Sequence, residues 1–535
     1  MKTLYFCLVA MAAGTSSFAQ TTVPATPSLT VGAEIKGLRF DWEPVAGASW
    51  YQFEFKAHEN AQFVQQGDNL DASVTSTRFR LPLHLYFWTY ARYRLAACNS
   101  AGCTRSAEVP VSLLRRFAVG YFKPAQTLIG QRFAGDTDLS ASGRDFVSAA
   151  PGDPIPSGNG SRAGGAIYLF RFNGGVWRQR VRLFPTTPPF IEGSNVMKVA
   201  MSADGNTVAL GMPNYFHEEF DEQSGEVFVF HFNGSNWVRT RIRAGSRGLF
   251  GRWVGLSNTG DTLAIAHGEN SNPSLPAKIA IYKLVDGAWQ AVRDITNRFG
   301  RTEYCDQGVL SGDGSTVAES CEEGPVGTTP ARVYIRTHSG PNWTTRADLP
   351  LQMSVSSESG YGHGGIAIDD TGNTVAAQIF AVDGPSEVQV FEREDGIYEK
   401  EATLTPGAWR APAQRNFFGQ SIAISGNGIV LSVGDSWDNG LGNGPRAAPL
   451  NPGQSPTGAV YVYRYYDDAW WLYNMLKPNY HPDNAAYRTF GSDVEFNTNG
   501  VSMIVGESGE SSDAQGIAGG WSNIRAPGSG AVWLY

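Results

Sequence analysis

The sequence predicts an all-β fold in which a seven-bladed β-propeller follows a small β-sandwich. Two repeated features predict the propeller. A hairpin made of an apolar strand, a polar turn with glycine and a second apolar strand occurs seven times, and a strand of alternating apolar residues leading to Trp or Tyr follows it. The matched turn glycines are Gly143, Gly205, Gly260, Gly314, Gly372, Gly428 and Gly500. Their spacing of 54 to 72 residues indicates an array of four-stranded sheets, each of which is one blade.

The end of the chain suggests how the ring of blades closes. The seventh unit stops at Tyr535 after three strands. Residues 117–126 resemble the fourth strand of the sixth unit, because Phe122-Lys123-Pro124 aligns with Leu476-Lys477-Pro478. We expect this segment to complete the last blade, which would remove two free sheet edges. The alternative is that residues 117–126 are only a linker.

Residues 1–19 predict a secretory signal peptide. Lys2 supplies the positive end, Leu4 to Ala13 the apolar segment, and Ser17-Phe18-Ala19 the small residues before a cleavage site. We therefore expect a secreted protein with an extracellular or periplasmic location.

Composition argues against a nucleic-acid partner and against a transmembrane segment. The 535-residue chain has a net charge of −8 and no stripe of basic residues, so we expect no nucleic-acid partner. Outside the N-terminus no apolar segment is long enough for a transmembrane helix.

Four cysteines remain beyond the signal segment, and they form two symmetric pairs. Cys98 and Cys103 flank one tight turn, and Cys305 and Cys321 flank the turn of the fourth repeated hairpin. Cysteines opposite each other across a hairpin are close enough to bond. We predict both disulfides, which suit an oxidising compartment.

A separate module precedes the repeats, at residues 28–112. Short alternating strands such as residues 50–55 and 93–99 predict an immunoglobulin-like β-sandwich. Trp42, Tyr51, Leu83 and the segment from Tyr93 to Gly102 resemble a fibronectin type III domain. This resemblance implies a spacer or adhesion module.

The repeats at residues 117–535 resemble the FG-GAP repeats of the integrin α-subunit propeller. Phe250-Gly251, Phe418-Gly419 and Phe490-Gly491 keep the pair that gives the repeat its name, whereas Phe133 keeps only the aromatic residue. The resemblance implies a seven-bladed propeller. It leaves the function open, because a fold does not fix a function.

The chain departs from this family in its calcium motif. Integrin-type blades often bind Ca²⁺ through several carboxylates in the first turn, whereas most turns here contain one carboxylate or none. The segment from Asp369 to Thr374 has two and is the best candidate. We expect Asp, Asn and Gly to form tight turns here, with no metal and no cofactor.

Four long loops between the second and third strands mark a candidate binding face. They belong to units six, seven, one and two, which are neighbours in a closed ring. Their aromatic and acidic residues suit a protein or glycan ligand. With one residue from a neighbouring loop, the candidate binding residues are Asp153, Tyr215, Phe216, His217, Trp437, Asp438, Tyr487 and Trp521. The alternative is that these loops are tolerated insertions.

Function follows from this face. The principal hypothesis is a secreted or cell-surface binding or adhesion protein that recognises an extracellular protein or glycan, and is not an enzyme. The first alternative is a carbohydrate-active propeller enzyme, a glycoside hydrolase or lyase, since Asp435, Asp438, Glu507 and Glu510 would supply paired carboxylates. The second alternative is a structural surface component.

Overall fold

The protein was analysed as a computed structural model, which describes sixteen stretches of the chain. These are residues 22–85, 90–155, 162–185, 196–217, 222–244, 248–267, 278–296, 303–323, 331–339, 342–351, 361–381, 386–407, 417–440, 456–479, 488–517 and 521–535. The expected signal peptide, residues 1–19, lies outside the described residues. The chain divides into two compact units.

The described residues of the first unit contain nine strands in two sheets. They are β1 (Thr30–Glu34), β2 (Gly37–Asp41), β3 (Trp50–Lys56), β4 (Val64–Gln65), β5 (Leu70–Asp71), β6 (Ser76–Arg80), β7 (Arg92–Asn99), β8 (Gly102–Arg105) and β9 (Val109–Pro110). One sheet has the order β1-β2-β6, and the other the order β4-β3-β7-β8, with β5 on β3 and β9 on β7. Phe40 lies 5.0 Å from Phe53 and 4.9 Å from Tyr93 between ring centroids, so aromatic rings fill the core.

From residue 115 onward, the described residues of the second unit form one short helix followed by strands. Its first elements are α1 (Arg115–Ala118), β10 (Gly120–Phe122), β11 (Thr137–Leu139), β12 (Asp145–Ala150), β13 (Pro154–Ile155), β14 (Arg162–Ala163), β15 (Ala166–Asn173), β16 (Val176–Leu183), β17 (Lys198–Met201), β18 (Thr207–Met212), β19 (Phe216–His217), β20 (Glu222–Gln223), β21 (Glu226–Phe232) and β22 (Trp237–Ile242). They are followed by β23 (Val254–Leu256), β24 (Thr262–His267), β25 (Lys278–Val285), β26 (Ala288–Thr296), β27 (Glu303–Leu310), β28 (Thr316–Glu323), β29 (Arg332–Ser339), β30 (Asn342–Pro350), β31 (Tyr361–Ile368) and β32 (Thr374–Ala381). The last are β33 (Glu387–Glu394), β34 (Ile397–Leu404), β35 (Ser421–Ile424), β36 (Val430–Asp435), β37 (Ala459–Tyr466), β38 (Ala469–Leu476), β39 (Phe490–Phe496), β40 (Met503–Glu507) and β41 (Ala531–Leu534).

These strands form repeated four-stranded antiparallel sheets, which we number along the chain. Sheet 1 has the order β11-β12-β15-β16, sheet 2 the order β17-β18-β21-β22, and sheets 3, 4, 5 and 6 are β23–β26, β27–β30, β31–β34 and β35–β38. Sheet 7 has the order β39-β40-β41-β10. The first strand of each sheet contacts the first strand of the next, and β39 contacts β11. This cyclic arrangement of four-stranded sheets is that of a β-propeller.

Sheet 7 joins the two ends of the second unit. Gly120 lies opposite Leu534 and Phe122 opposite Val532, so β10 is the outermost strand of the sheet. Tyr121, Phe122 and Lys123 are fully buried. The N-terminal segment therefore occupies the place that the fourth strand has in the other sheets.

The turn glycines explain why the hairpin recurs with so little variation. All seven have a positive φ, between +63° and +73°, which side chains with a Cβ rarely adopt. A Cβ on Gly143 would lie 2.5 Å from Ser502 Oγ of sheet 7, and one on Gly205 would lie 2.7 Å from Asp145 Cβ of sheet 1. Glycine is therefore required both for the turn and for its packing on the preceding sheet.

Both predicted disulfides are confirmed. Cys98 lies opposite Cys103 on paired strands, as Cys305 does opposite Cys321, and both Cα–Cα distances are 4.1 Å. In the part of the chain that the structure describes, no helix has the length and apolar character needed to cross a membrane.

Two short segments that the sequence assigned to the sandwich belong to the second unit. Within the described residues, these are residues 34–37 and 80–85. Lys36 is fully buried, and its Nζ donates to the carbonyls of Leu81 (3.0 Å) and Val501 (2.6 Å). The His84 Nε2 atom lies 2.8 Å from the carbonyl oxygen of Gly500, and burial lowers the pKa of His84 to about 3. These contacts tie both segments to the hairpin turn of sheet 7.

Candidate functional site

Asp153 lies at the base of the long loop of sheet 1 and is fully buried. Its carbonyl oxygen accepts hydrogen bonds from the amides of Gly164 (3.1 Å) and Gly165 (3.0 Å), which close the loop. Its carboxylate accepts hydrogen bonds from the Tyr168 hydroxyl and the Arg182 guanidinium. Asp153 thus joins the loop to the third and fourth strands of its own sheet.

Asp438 has the same position in sheet 6 and the same contacts. Its carbonyl oxygen accepts from the amides of Thr457 (3.0 Å) and Gly458 (2.9 Å). Its carboxylate accepts from the Tyr461 hydroxyl (2.9 Å) and pairs with the buried Lys477 ammonium. Burial acts to raise the pKa of Asp438, but Lys477 and the hydrogen bonds outweigh it, so the pKa lies below its usual value.

Glu510 repeats this arrangement in sheet 7. Its carbonyl oxygen accepts from the Gly530 amide (2.9 Å), and its carboxylate forms a 2.5 Å ion pair with Lys123. Lys123 and Glu510 are both fully buried. Burial lowers the pKa of Lys123 against the attraction of Glu510. Lys123 comes from the segment that completes the sheet, just as Lys477 follows the fourth strand of sheet 6.

In sheet 2 an aromatic residue replaces the carboxylate. The carbonyl of Tyr215 accepts from the amides of Ser224 (3.2 Å) and Gly225 (3.1 Å). The Tyr215 ring packs against Phe228, with centroids 6.1 Å apart, and Arg241 lies 5.7 Å from its centroid. We call Asp153, Tyr215, Asp438 and Glu510 the loop anchors. Each holds the base of one long loop and faces a cation near the fourth strand.

The two candidate tryptophans are half-buried beside these anchors. Trp437 stacks on Phe417, with ring centroids 5.2 Å apart. Trp521 packs edge-on against Tyr121 and Trp533, at 5.6 Å and 6.1 Å. Both rings keep part of their surface exposed.

The remaining candidates are Phe216, His217 and Tyr487. The backbones of Phe216 and His217 form β19, which pairs with Gln223 and Glu222 of β20. Tyr487 lies outside the described residues. The structure therefore brings Asp153, Tyr215, Asp438 and the tryptophans to loop bases, without placing their side chains in one pocket.

A second carboxylate lies behind the anchor of sheet 7. Glu507 is fully buried, accepts from the Trp533 indole N–H (2.7 Å) and pairs with Arg488 (2.6 Å). Burial raises the pKa of Glu507 to about 7, although Arg488 opposes the shift. Asp435, the equivalent residue of sheet 6, is also fully buried.

The first strands of the sheets surround a cavity of about 200 Å³, which is lined by Asp138 and Glu495, two acids that the sequence analysis did not single out. Asp136 and Asp138 lie on and beside β11, and Asp493 and Glu495 lie on β39. Lys198 of β17 forms a 2.8 Å ion pair with Asp136. The Thr137 hydroxyl donates to Asp493 at 2.7 Å. We call these four acids the channel acids.

Burial and mutual repulsion raise the pKa values of three channel acids. Burial raises the pKa of Asp138 to about 7 against hydrogen bonds from the Met201 and Leu139 amides. Burial and the Asp136 charge raise the pKa of Asp493 to about 7. The pKa of Glu495 is raised well above its usual value by burial and then by Asp138 and Asp493. Several acids facing a single lysine cannot all ionise cheaply.

Two features bear on metal ligation. Among the described residues, the one group with metal-ligand spacing is Cys305, Glu319 and Cys321, whose cysteines are joined in a disulfide. In the candidate calcium turn, the Asp369 carboxylate accepts from the amides of Thr371 (3.1 Å) and Asn373 (2.8 Å). This is the hydrogen-bond pattern of an Asp-stabilised turn.

No family model matches the chain, and no curated protein matches it. Among solved structures, it is similar to a Kuenenia stuttgartiensis hydrazine synthase structure, with 13% identity, a TM-score of 0.44, and 71% of this chain and 93% of that chain covered. It is also similar to the periplasmic gluconolactonase of Pseudomonas aeruginosa, with 10% identity, a TM-score of 0.42, and coverages of 81% and 97%. These similarities concern the fold and carry no argument about activity.

Proposed function

We propose that the chain is a secreted or cell-surface binding protein that recognises an extracellular protein or glycan. In this proposal a fibronectin type III-like sandwich, residues 28–112, precedes a seven-bladed propeller with FG-GAP repeats, residues 117–535. The ligand binds the face formed by the long loops of sheets 6, 7, 1 and 2. The single observation that carries the proposal is the recurrence of the loop anchors in those four sheets.

The loop anchors favour recognition because they fix the loops before any ligand arrives. Each anchor is almost fully buried and bonds both to its loop and to the strands beneath it. A loop that is already ordered loses less conformational entropy on binding, which strengthens the affinity for a given contact area. Half-exposed Trp437 and Trp521 then offer rigid aromatic surface, the type of side chain that contributes most to binding energy.

The FG-GAP assignment is supported by three Phe-Gly pairs. Phe250, Phe418 and Phe490 are buried, and the following Gly251, Gly419 and Gly491 have φ values of +88°, +94° and +81°. The Phe250 backbone bridges to Gly225, and that of Phe490 to Gly458, in the preceding sheets. The pair therefore has one structural role: the ring fills the core while the glycine lets two sheets approach closely.

The enzyme alternative is less well supported. A carboxylate that acts as acid, base or nucleophile has to reach the substrate. Asp435, Asp438, Glu507 and Glu510 are at most 3% exposed, and Asp438, Glu507 and Glu510 are ion-paired. We favour binding over glycoside hydrolysis for this reason.

A glycan and protein array, with a hydrolysis assay on the same panel, tests the proposal. Trp437→Ala or Trp521→Ala should weaken the affinity for the ligand identified by about 2 kcal/mol, or about 30-fold. The matched control is Trp471→Ala, because Trp471 is 49% exposed on the outer strand of sheet 6, away from the loops. If only Trp471→Ala weakens binding, or if an array hit is hydrolysed, the proposed face or the proposed function is wrong.

A further inference from the structure

Three arginines lie together at the hairpin end of sheet 1. Arg171 of β15 lies directly opposite Arg178 of β16. The register shifts at the next pair, where Arg180 is the extra residue of a β-bulge. A groove of about 380 Å³ is lined by all three side chains. We call Arg171, Arg178 and Arg180 the arginine patch.

The arginine patch is only partly neutralised within the molecule. Arg171 pairs with Asp145, and Arg180 lies over the Phe232 ring, 4.2 Å from its centroid. Arg178 is exposed, and no carboxylate among the described residues pairs with it. Burial and repulsion by Arg171 lower the pKa of Arg180. Arg171 and Arg180 also donate to Asn206 in the neighbouring hairpin turn, whereas Arg178 lies opposite a like charge, which is unfavourable on adjacent strands.

Sheet 5 has glutamates at the same three positions. Glu392 of β33 lies opposite Glu399 of β34, and Glu401 is the extra residue of the equivalent β-bulge. All three are exposed, and no basic residue in the described part of the chain forms an ion pair with them. Glu392 also lines a groove of about 340 Å³. We call Glu392, Glu399 and Glu401 the glutamate patch.

Besides their opposite charges, the two patches share two further features. Burial and then repulsion by Glu401 raise the pKa of Glu392, which parallels the repulsion within the arginine patch. Each hairpin also carries an exposed aliphatic residue at its tip: Val176 beside the arginines is 45% exposed, and Ile397 beside the glutamates is 62% exposed. An apolar contact framed by opposite charges is typical of a protein interface.

The patches cannot neutralise each other within one molecule. In the cyclic order of contacts, sheets 2, 3 and 4 separate them on one side, and sheets 6 and 7 on the other. A second copy of the chain, however, presents a glutamate patch to the arginine patch of the first.

We propose that the arginine patch of one copy binds the glutamate patch of another, in a head-to-tail association. This inference goes beyond the proposed function and does not depend on it. Because the two surfaces differ, each copy keeps one free patch after pairing, and the contact extends into a row of molecules rather than a closed dimer. The net charge of −8 makes two copies repel overall, so association has to come from the local complementarity.

Sedimentation velocity of the full chain tests the contact. The experiment compares the protein at about 10 mM and at about 1 M ionic strength. Charges are screened beyond about 30 Å at the lower ionic strength and beyond about 3 Å at the higher one. Wild type should associate at low ionic strength and be monomeric at high ionic strength. Arg178→Glu and Glu399→Arg should each weaken association at least about tenfold, because like charges then face each other. The matched control, Arg293→Glu on the exposed outer strand of sheet 3, should associate like wild type.

Mixing the two variants distinguishes this contact from general charge effects. Arg178→Glu keeps its glutamate patch and Glu399→Arg keeps its arginine patch, so an equimolar mixture should associate again. A wild-type chain that stays monomeric at low ionic strength would overturn the proposal. So would single variants that associate like wild type, or a mixture that does not regain association.

Discussion

Asp438 among the loop anchors and Asp138 and Asp493 among the channel acids are carboxylates whose pKa is raised by burial, yet their net pKa shifts have opposite signs. Asp438 faces Lys477 and two further donors, and its pKa falls below the usual value. Burial and repulsion by Asp136 raise the pKa values of Asp138 and Asp493 to about 7, although Lys198 opposes the shift of Asp493. The number of opposite charges within reach, not the burial itself, decides the sign. The ionised Asp438 therefore stabilises the folded chain at neutral pH, whereas Asp138 and Asp493 destabilise it.

The largest expected effect comes from breaking an anchor. Lys477→Met should lower the free energy of unfolding by about 3–5 kcal/mol, because it leaves Asp438 buried without its cation. Denaturant unfolding measures this. The matched control is Lys283→Met, since Lys283 and Asp261 are 4.0 Å apart and about half exposed, at 43% and 51%. That change should cost no more than about 1 kcal/mol, and equal losses for the two variants would contradict the comparison.

The channel acids should give a smaller effect of opposite sign. The raised pKa values of Asp138, Asp493 and Glu495 mean that the folded chain binds more protons than the unfolded chain between about pH 4 and pH 7, so the contribution of these three acids to stability falls as pH rises through that window. Glu495→Gln should therefore raise the free energy of unfolding by about 1–3 kcal/mol at pH 8. At about pH 3 the carboxyl is protonated in both states, and the variant should match wild type. If Glu495→Gln raises the free energy of unfolding equally at both pH values, the charge of Glu495 is not the cause.

The smallest change should follow from removing both charges of an anchor at once. Asp438→Asn combined with Lys477→Met keeps a hydrogen-bonding side chain beside Tyr461 and Gly440. Replacing a complete buried ion pair by neutral groups is often nearly neutral, so we expect stability within about 1 kcal/mol of wild type. If the double variant is as unstable as Lys477→Met alone, the unpaired charge is not what destabilises the single variant.

The sequence predicted features that are set by local geometry. The turn glycines were found because only a residue without a Cβ suits a positive φ between two strands, and both disulfides because each cysteine pair is symmetric about one turn. The pairing of residues 120–122 with the last strand could be predicted from the sequence because Lys123-Pro124 matches Lys477-Pro478.

The sequence could not show which loop carboxylates face inward. Asp153 and Asp438 were selected as binding residues because they lie in long loops, but the structure buries both against a cation from the fourth strand. Loop length carries no information about such a distant partner. The channel acids did leave a signal: Asp136-x-Asp138 and Asp493-x-Glu495 occupy matching positions in the first and seventh repeats. Acids two residues apart on an inner strand point to the same side.

The anchor of sheet 7 has a consequence for folding kinetics. Lys477 and Asp438 are 39 residues apart in the chain, whereas Lys123 and Glu510 are 387 apart. Closing a loop about ten times longer costs about 2 kcal/mol more in chain entropy. Sheet 6 is therefore able to form early from neighbouring residues, while sheet 7 waits for both ends of the unit to meet. Until that meeting, the edge strand β41 lacks its partner, and this late step is when a newly made chain is most exposed to aggregation.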